Sequence, residues 1–168
     1  EHVEGPNFDF NSLGPFTIEA IVNDWDQTIL SSGSTLGKQA NKNAIWIDSI
    51  SAGWVSRNGI VAGQLNLPIQ TRNHVALVFD GENLLTYLNG RRTKVLASAP
   101  PDKQPAENRL LIGATPSGSF KANGLIESVR ISRGALYTQK QHQVPGVLQA
   151  GAKTELLYDF RLDFQERS

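Results

Sequence analysis

Apolar and polar positions alternate in short runs along this chain, and clusters of glycine, asparagine, aspartate and proline separate the runs. Period-two alternation is the mark of a strand that buries one face. Strands interrupted this often point to an all-β fold, a two-sheet antiparallel β-sandwich, rather than to helices. The runs predicted as strands are residues 16–22, 28–31, 44–48, 53–57, 74–79, 84–88, 109–112, 125–131 and 155–160. Asn58-Gly59, Asp80-Gly81, Asn89-Gly90 and Asn123-Gly124 favour positive φ, which tight hairpin turns require, so an antiparallel meander is expected. Two stretches break the alternation. Residues 97–107 are rich in proline and charge, and residues 138–151 carry glutamines, Pro145 and two glycines. Both read as connecting loops, the second with a helical turn around residues 139–143.

Length and charge narrow the picture. The 168 residues suit one domain with a real core, with no internal repeat to divide it, so 1–168 is taken as a single unit. Lysine plus arginine number 16 and aspartate plus glutamate 16, leaving no global field to draw in nucleic acid or anionic lipid. Any partner must be chosen by a local site. No apolar run approaches the roughly 20 residues that span a bilayer. The absence of cysteine excludes disulfides, thiol catalysis and thiolate zinc sites. There is no methionine, and Glu1-His2-Val3-Glu4 reads as an entry into the middle of a β pattern, as expected of a module from a longer protein.

The segment Gly14-Pro15-Phe16-Thr17-Ile18-Glu19-Ala20-Ile21-Val22 resembles the early strand, commonly GPFTIEAWV, of bacterial laminin G-like domains in the concanavalin A-like lectin and glucanase superfamily. The resemblance continues through His74-Val75-Ala76-Leu77-Val78-Phe79-Asp80-Gly81 and Leu85-Thr86-Tyr87-Leu88-Asn89-Gly90. It resumes at Leu111-Ile112-Gly113-Ala114, at residues 124–137 from Gly124-Leu125-Ile126-Glu127 to Ala135-Leu136-Tyr137, and at Leu156-Leu157-Tyr158-Asp159-Phe160. It implies a jelly-roll sandwich, a monomeric extracellular, cell-surface or periplasmic module, and a carbohydrate or glycoconjugate as partner beside the other domains of a parent chain. Three departures stand out: no FDG strand precedes Glu1, Ile126-Glu127-Ser128 stands where the family has Ile-Asp-Glu, and Ile21 replaces a tryptophan.

The superfamily also contains glycosidases, which set two carboxylates on one strand as Glu-x-Asp-x-(x)-Glu so that they flank the scissile bond. No such run is present, and the nearest clusters, Asp24 with Asp26 and Asp159 with Asp163, fall in a loop and a tail. The expectation is a binding module with no catalytic residues. The alternatives are a polysaccharide hydrolase of the same fold and a purely structural or protein-contact domain. There is no Gly-x-Ser-x-Gly, and Gly33-Ser34-Thr35-Leu36-Gly37-Lys38 has glycines too closely spaced for a phosphate loop. His2, His74 and His142 lie far apart in sequence, which argues against zinc. The resemblance implies Ca²⁺ at the rim instead, with Asp24, Asp26, Asp48, Glu127 and Asp159 as oxygen donors. Those carboxylates equally serve to solubilise loops.

Sugar rings stack their C–H faces on aromatic planes, so tryptophans mark the binding surface. If Ile45, Ile47 and Val55 face the core, alternation turns Trp46, Asp48 and Trp54 outward, with Tyr87 joining them if Leu88 is buried. A concave sheet would then present Trp46, Trp54 and Tyr87 beside Asp48, Arg57 and Asn58, with Trp25 a separate rim contact. Core packing is the competing role for each tryptophan. Arg91-Arg92-Thr93-Lys94, a basic cluster after a hairpin turn, is read as blunting a strand edge, with anionic glycans as the other reading.

Overall fold

Among the described residues, twelve strands are arranged as β1 (Val3–Glu4), β2 (Phe16–Asn23), β3 (Thr28–Gly33), β4 (Ile45–Asp48), β5 (Ser51–Ser56), β6 (Gly59–Gln64), β7 (Arg72–Phe79), β8 (Asn83–Leu88), β9 (Arg91–Ala97), β10 (Arg109–Ile112), β11 (Leu125–Arg133) and β12 (Thr154–Asp159). The structure is a computed structural model and describes residues 3–33, 45–103, 109–114 and 124–161. Ala44, Asn123, His2, Asp163, residues 34–38 of the glycine-serine stretch and residues 104–107 of the first expected loop lie outside them. One antiparallel sheet runs β1-β10-β3-β4-β5-β6 and the other β12-β11-β2-β7-β8-β9. The expected sandwich is thus present. Each predicted run coincides with a strand, except that Arg57 and Phe160 fall in turns, and β1, β6 and β9 are additional.

Alternation places the core between the sheets. Phe16, Ile18, Ala20 and Val22 of β2, with Val75, Leu77 and Phe79 of β7, meet Leu30, Ile45, Ile47, Leu110 and Ile112 of the first sheet. The short β1 pairs with β10 through Val3 opposite Ile112, so the chain's own residues occupy that edge. At the turn after β8, Asn89 and Gly90 have φ of 50° and 78°, the paired left-handed conformation that an Asn-Gly hairpin adopts.

The second sheet is also covered on its outer face. Ala76, Val78, Leu85 and Tyr87 form a separate buried cluster against Ala135 and Tyr137. The covering strap, residues 134–149, is tied down along its length. Gly134 N donates to Pro15 O at 2.7 Å and His142 N to Gly90 O at 2.8 Å. Arg72 and Arg130 donate to the carbonyls of Gly146 and Gln149. The helical turn expected at 139–143 is absent: Gln141 forms a β-bridge with Arg91, so these backbone groups bond to the hairpin instead of to each other.

Candidate functional site

The β4–β5 hairpin determines which tryptophan faces out. Asp48 Oδ1 accepts from Ile50 N at 2.8 Å and Ser51 N at 2.6 Å, closing a tight turn that fixes the register. Ile45 then faces Trp54, and Trp46 faces Gly53. Since Ile45 points into the core, Trp54 does too, and Trp46 lies on the outer face of the first sheet.

Around Trp46 the cross-strand neighbours are small: Ser31 on β3, Gly53 on β5 and, beyond Gly53, Ala62 on β6. The next row holds Val55 opposite Ile60, and Ile60 is 73% exposed. Gly53 is required by proximity, because a Cβ there would sit 2.1 Å from the Val61 carbonyl oxygen. The half-buried indole of Trp46 donates to Ser51 Oγ at 3.1 Å, which holds the ring. Arg57 and Asn58 are exposed in the turn between β5 and β6. The row around Trp46 thus carries small side chains, with Ile60, Arg57 and Asn58 toward its β5–β6 end.

Several expected site residues are elsewhere. Trp54 is fully buried among Phe16 and Phe79, and its Nε1 donates to Ser98 Oγ and Ala99 O. The parity that turned it outward assumed an inward Val55, and Val55 faces out. Tyr87 points away from the main core, as alternation requires, but it belongs to the second sheet and lies under the strap, donating to Gln139 O at 2.9 Å. Trp25 packs in the core with its Nε1 donating to Gln27 O. The three-ring platform is therefore not formed. Asp48 spends its carboxylate on its own turn.

The candidate calcium donors Asp24, Asp26, Glu127 and Asp159 are not brought together among the described residues. Glu127, left out of register by a bulge in β11, is held by a two-pronged contact from Arg72. Asp159 is paired with Arg161, whose hydrogen bonds hold its carboxyl below the usual range. Asp24 accepts from Gln70 N at 3.0 Å. Among the described residues no three His, Asp or Glu side chains converge to hold a metal.

Beneath the strap lies a network with no counterpart in the expectations above. Glu19, fully buried, accepts from His74 Nε2 at 2.8 Å, from the Tyr137 hydroxyl at 2.8 Å and from Arg130. Burial pushes the Glu19 carboxyl up, but the hydrogen bond and charge of His74, with Arg130, outweigh it and hold the carboxyl below its ordinary value. His142 stacks on Tyr137 with ring centroids 3.7 Å apart. Burial, then the charge of His74, lowers its pKa. The sequence signal was an ionisable residue, Glu19, flanked by the apolar Ile18, Ala20, Ile21 and Val22 in the middle of a strand.

A laminin G family model, described as the concanavalin A-like lectin/glucanases superfamily, matches residues 2–140. No curated protein matches the chain. Similar solved structures include domain 4 of an extracellular arabinanase from Geobacillus stearothermophilus in complex with arabinotriose, at TM-score 0.56 and 17% identity. The match covers 80% of this chain and 66% of that one. The CBM40 of Ruminococcus gnavus IT-sialidase, bound to α2,3 sialyllactose, has TM-score 0.55 and 18% identity, covering 82% of this chain and 91% of that one. Domains LG4-5 of the mouse laminin α1 chain have TM-score 0.53 and 12% identity. That match covers 88% of this chain but 44% of the laminin chain. At these identities the likeness is one of fold.

Proposed function

The chain belongs to the concanavalin A-like lectin/glucanases superfamily, and from that premise we propose that it is a non-catalytic carbohydrate-binding domain whose sugar contact is the outer face around Trp46. What supports this is the half-buried indole on the outer face of the first sheet, whose cross-strand neighbours Ser31, Gly53 and Ala62 are all small. Arg57 and Asn58 supply hydrogen bonds to hydroxyls at the β5–β6 end of this row. The arabinotriose and sialyllactose bound by the two similar domains support a sugar as the ligand class.

The disposition of acids supports binding over hydrolysis. A glycosidase needs one carboxyl free to protonate the leaving group and a second across the bond. Asp48, the carboxylate on Trp46's own strand, accepts two backbone N–H groups instead. On this reading the domain serves a longer bacterial protein outside the cytoplasm, holding it to a glycan. Among the described residues no helix is long and apolar enough to cross a membrane.

Electrophoresis through gels containing neutral polysaccharides tests the proposal. The wild type is retarded by at least one of them, Trp46→Ala is not, and no reducing ends appear on prolonged incubation. Retardation undiminished by Trp46→Ala overturns the site, and release of reducing ends overturns the non-catalytic reading.

A further inference from the structure

Three Asn-Gly pairs occur in the chain, beginning at Asn58, Asn89 and Asn123. Such a pair can react with itself. Glycine has no Cβ to hinder its own nitrogen, which can attack the preceding side-chain amide whenever the turn opens. The two pairs whose asparagines lie among the described residues sit in turns of opposite character.

The turn after β8 is held shut. Asn89 Oδ1 accepts from His74 N at 2.8 Å, Asn89 Nδ2 donates to Asn73 Oδ1 at 2.9 Å, and Asn89 N donates to His74 O at 2.8 Å. Gly90 is buried against the strap, its carbonyl accepting from His142 N. Bringing Gly90 N onto the Asn89 amide therefore requires these contacts to break and the strap to lift.

The turn between β5 and β6 has none of these restraints. Arg57, Asn58 and Gly59 are exposed, and β6 is the end strand of its sheet. Asn58 donates from its backbone N to Ser56 Oγ at 3.3 Å, while its side-chain amide engages none of the described residues. A Cβ on Gly59 would meet nothing within 4 Å. Opening the exposed end of an edge hairpin costs far less than detaching a packed strap.

We propose that Asn58 is a site of spontaneous covalent modification, by which the domain rewrites its own β5–β6 turn. Gly59 N loses its proton and forms a bond to Asn58 Cγ. The Cγ–Nδ2 bond breaks, ammonia leaves with the proton, and a succinimide ring is closed. Water, the one co-reactant, then opens the ring at either carbonyl, leaving aspartate or, where the chain now runs through the side-chain carbon, isoaspartate. Both products place a negative charge beside Arg57. Isoaspartate also adds a backbone carbon to the turn, which disturbs the pairing of Ile60 and Ala62 against β5. On the reading that Arg57 and Asn58 contact sugar hydroxyls, the modified chain binds neutral glycan more weakly.

The test ages the whole folded chain in mildly alkaline buffer, beside the same chain unfolded in guanidinium, and digests both with trypsin. Cleavage after Arg57, Arg72 and Arg91 puts Asn58 in the peptide 58–72 and Asn89 in the peptide 73–91. In the folded chain the first peptide should gain the mass by which water exceeds ammonia, localised to Asn58 by fragmentation. That gain should be at least about tenfold faster than any gain at Asn89, whereas the unfolded chain should convert both at similar rates. The modification is overturned if Asn58 is unchanged in the folded chain once the unfolded chain has converted, or if Asn89 converts equally fast. Ion exchange then separates the more acidic species carrying the change at Asn58, whose retention by neutral polysaccharide should fall several-fold. Undiminished retention overturns the consequence for sugar binding and not the modification. A wild type that no neutral polysaccharide retains overturns the Trp46 reading, with the peptide result unaffected.

Discussion

The Glu19 carboxylate and the His74 imidazole, diagonal neighbours on β2 and β7, meet at 2.8 Å with at most 1% of either side chain exposed. Arg130 and the Tyr137 hydroxyl close on the same carboxylate, so the strap is fastened to the sheet through a buried charge. Removing one member of such a network strands the others. Glu19→Gln should therefore destabilise the protein by about 3–5 kcal/mol, read as a lower denaturant midpoint. A loss under about 1 kcal/mol would show that the network is incidental to stability.

Acid should act on the same region. Because the Glu19 value is depressed on folding, its contribution is full above the ordinary carboxylate value and is lost as pH falls through the lower folded value. His142, lowered by burial and then by the charge of His74, stays neutral where the unfolded chain already takes up a proton. Its effect is thus a stability loss beginning as pH falls below about 6.5. Thermal melts of wild type and His142→Phe against pH check this. The variant should fall less steeply between about pH 7 and pH 5, and equal slopes would contradict the assignment.

The two tryptophans of the β4–β5 hairpin should behave oppositely. Trp54→Ala empties a site in the aromatic core and should cost about 3–5 kcal/mol. Trp46→Ala removes a half-buried ring from an outer face and should cost far less while abolishing glycan retention. Equal stability losses would mean that the hairpin register is wrong.

Gly90 combines a left-handed backbone with a crowded position: at φ of 78°, a Cβ would lie 2.4 Å from the His142 carbonyl oxygen. Gly90→Ala should strain the turn and lift the strap, costing more than about 1 kcal/mol. Faster amide exchange at His142, whose N–H donates to Gly90, is the local readout. Unchanged protection there would contradict the docking.

Much of the fold could be read from alternation, and the exceptions have physical causes. β6 carries two glycines and an alanine in Gly59–Gln64, so its β-branched pair Ile60-Val61 shows no alternation to mark it. β9 opens on charged residues, and edge strands commonly carry such charges, so it read only as a basic cluster. The strap has no hydrophobic period of its own. Its presence was encoded on the sheet it covers, since apolar residues on both faces of 74–79 mean burial on both faces. Within the site, Trp46 was placed correctly because Ile45 and Ile47 flank it. Trp54 was misplaced because small residues surround it in β5 and both parities fit, until the Asp48 turn fixes the register.

Tryptophan fluorescence offers the most direct measurement of sugar binding at Trp46, because Trp25 is 5% and Trp54 0% exposed while Trp46 is only half-buried. With a retained neutral oligosaccharide bound, iodide quenching of the wild type should fall to the level of Trp46→Phe. Quenching that stays the same when the sugar is bound would contradict binding on that face.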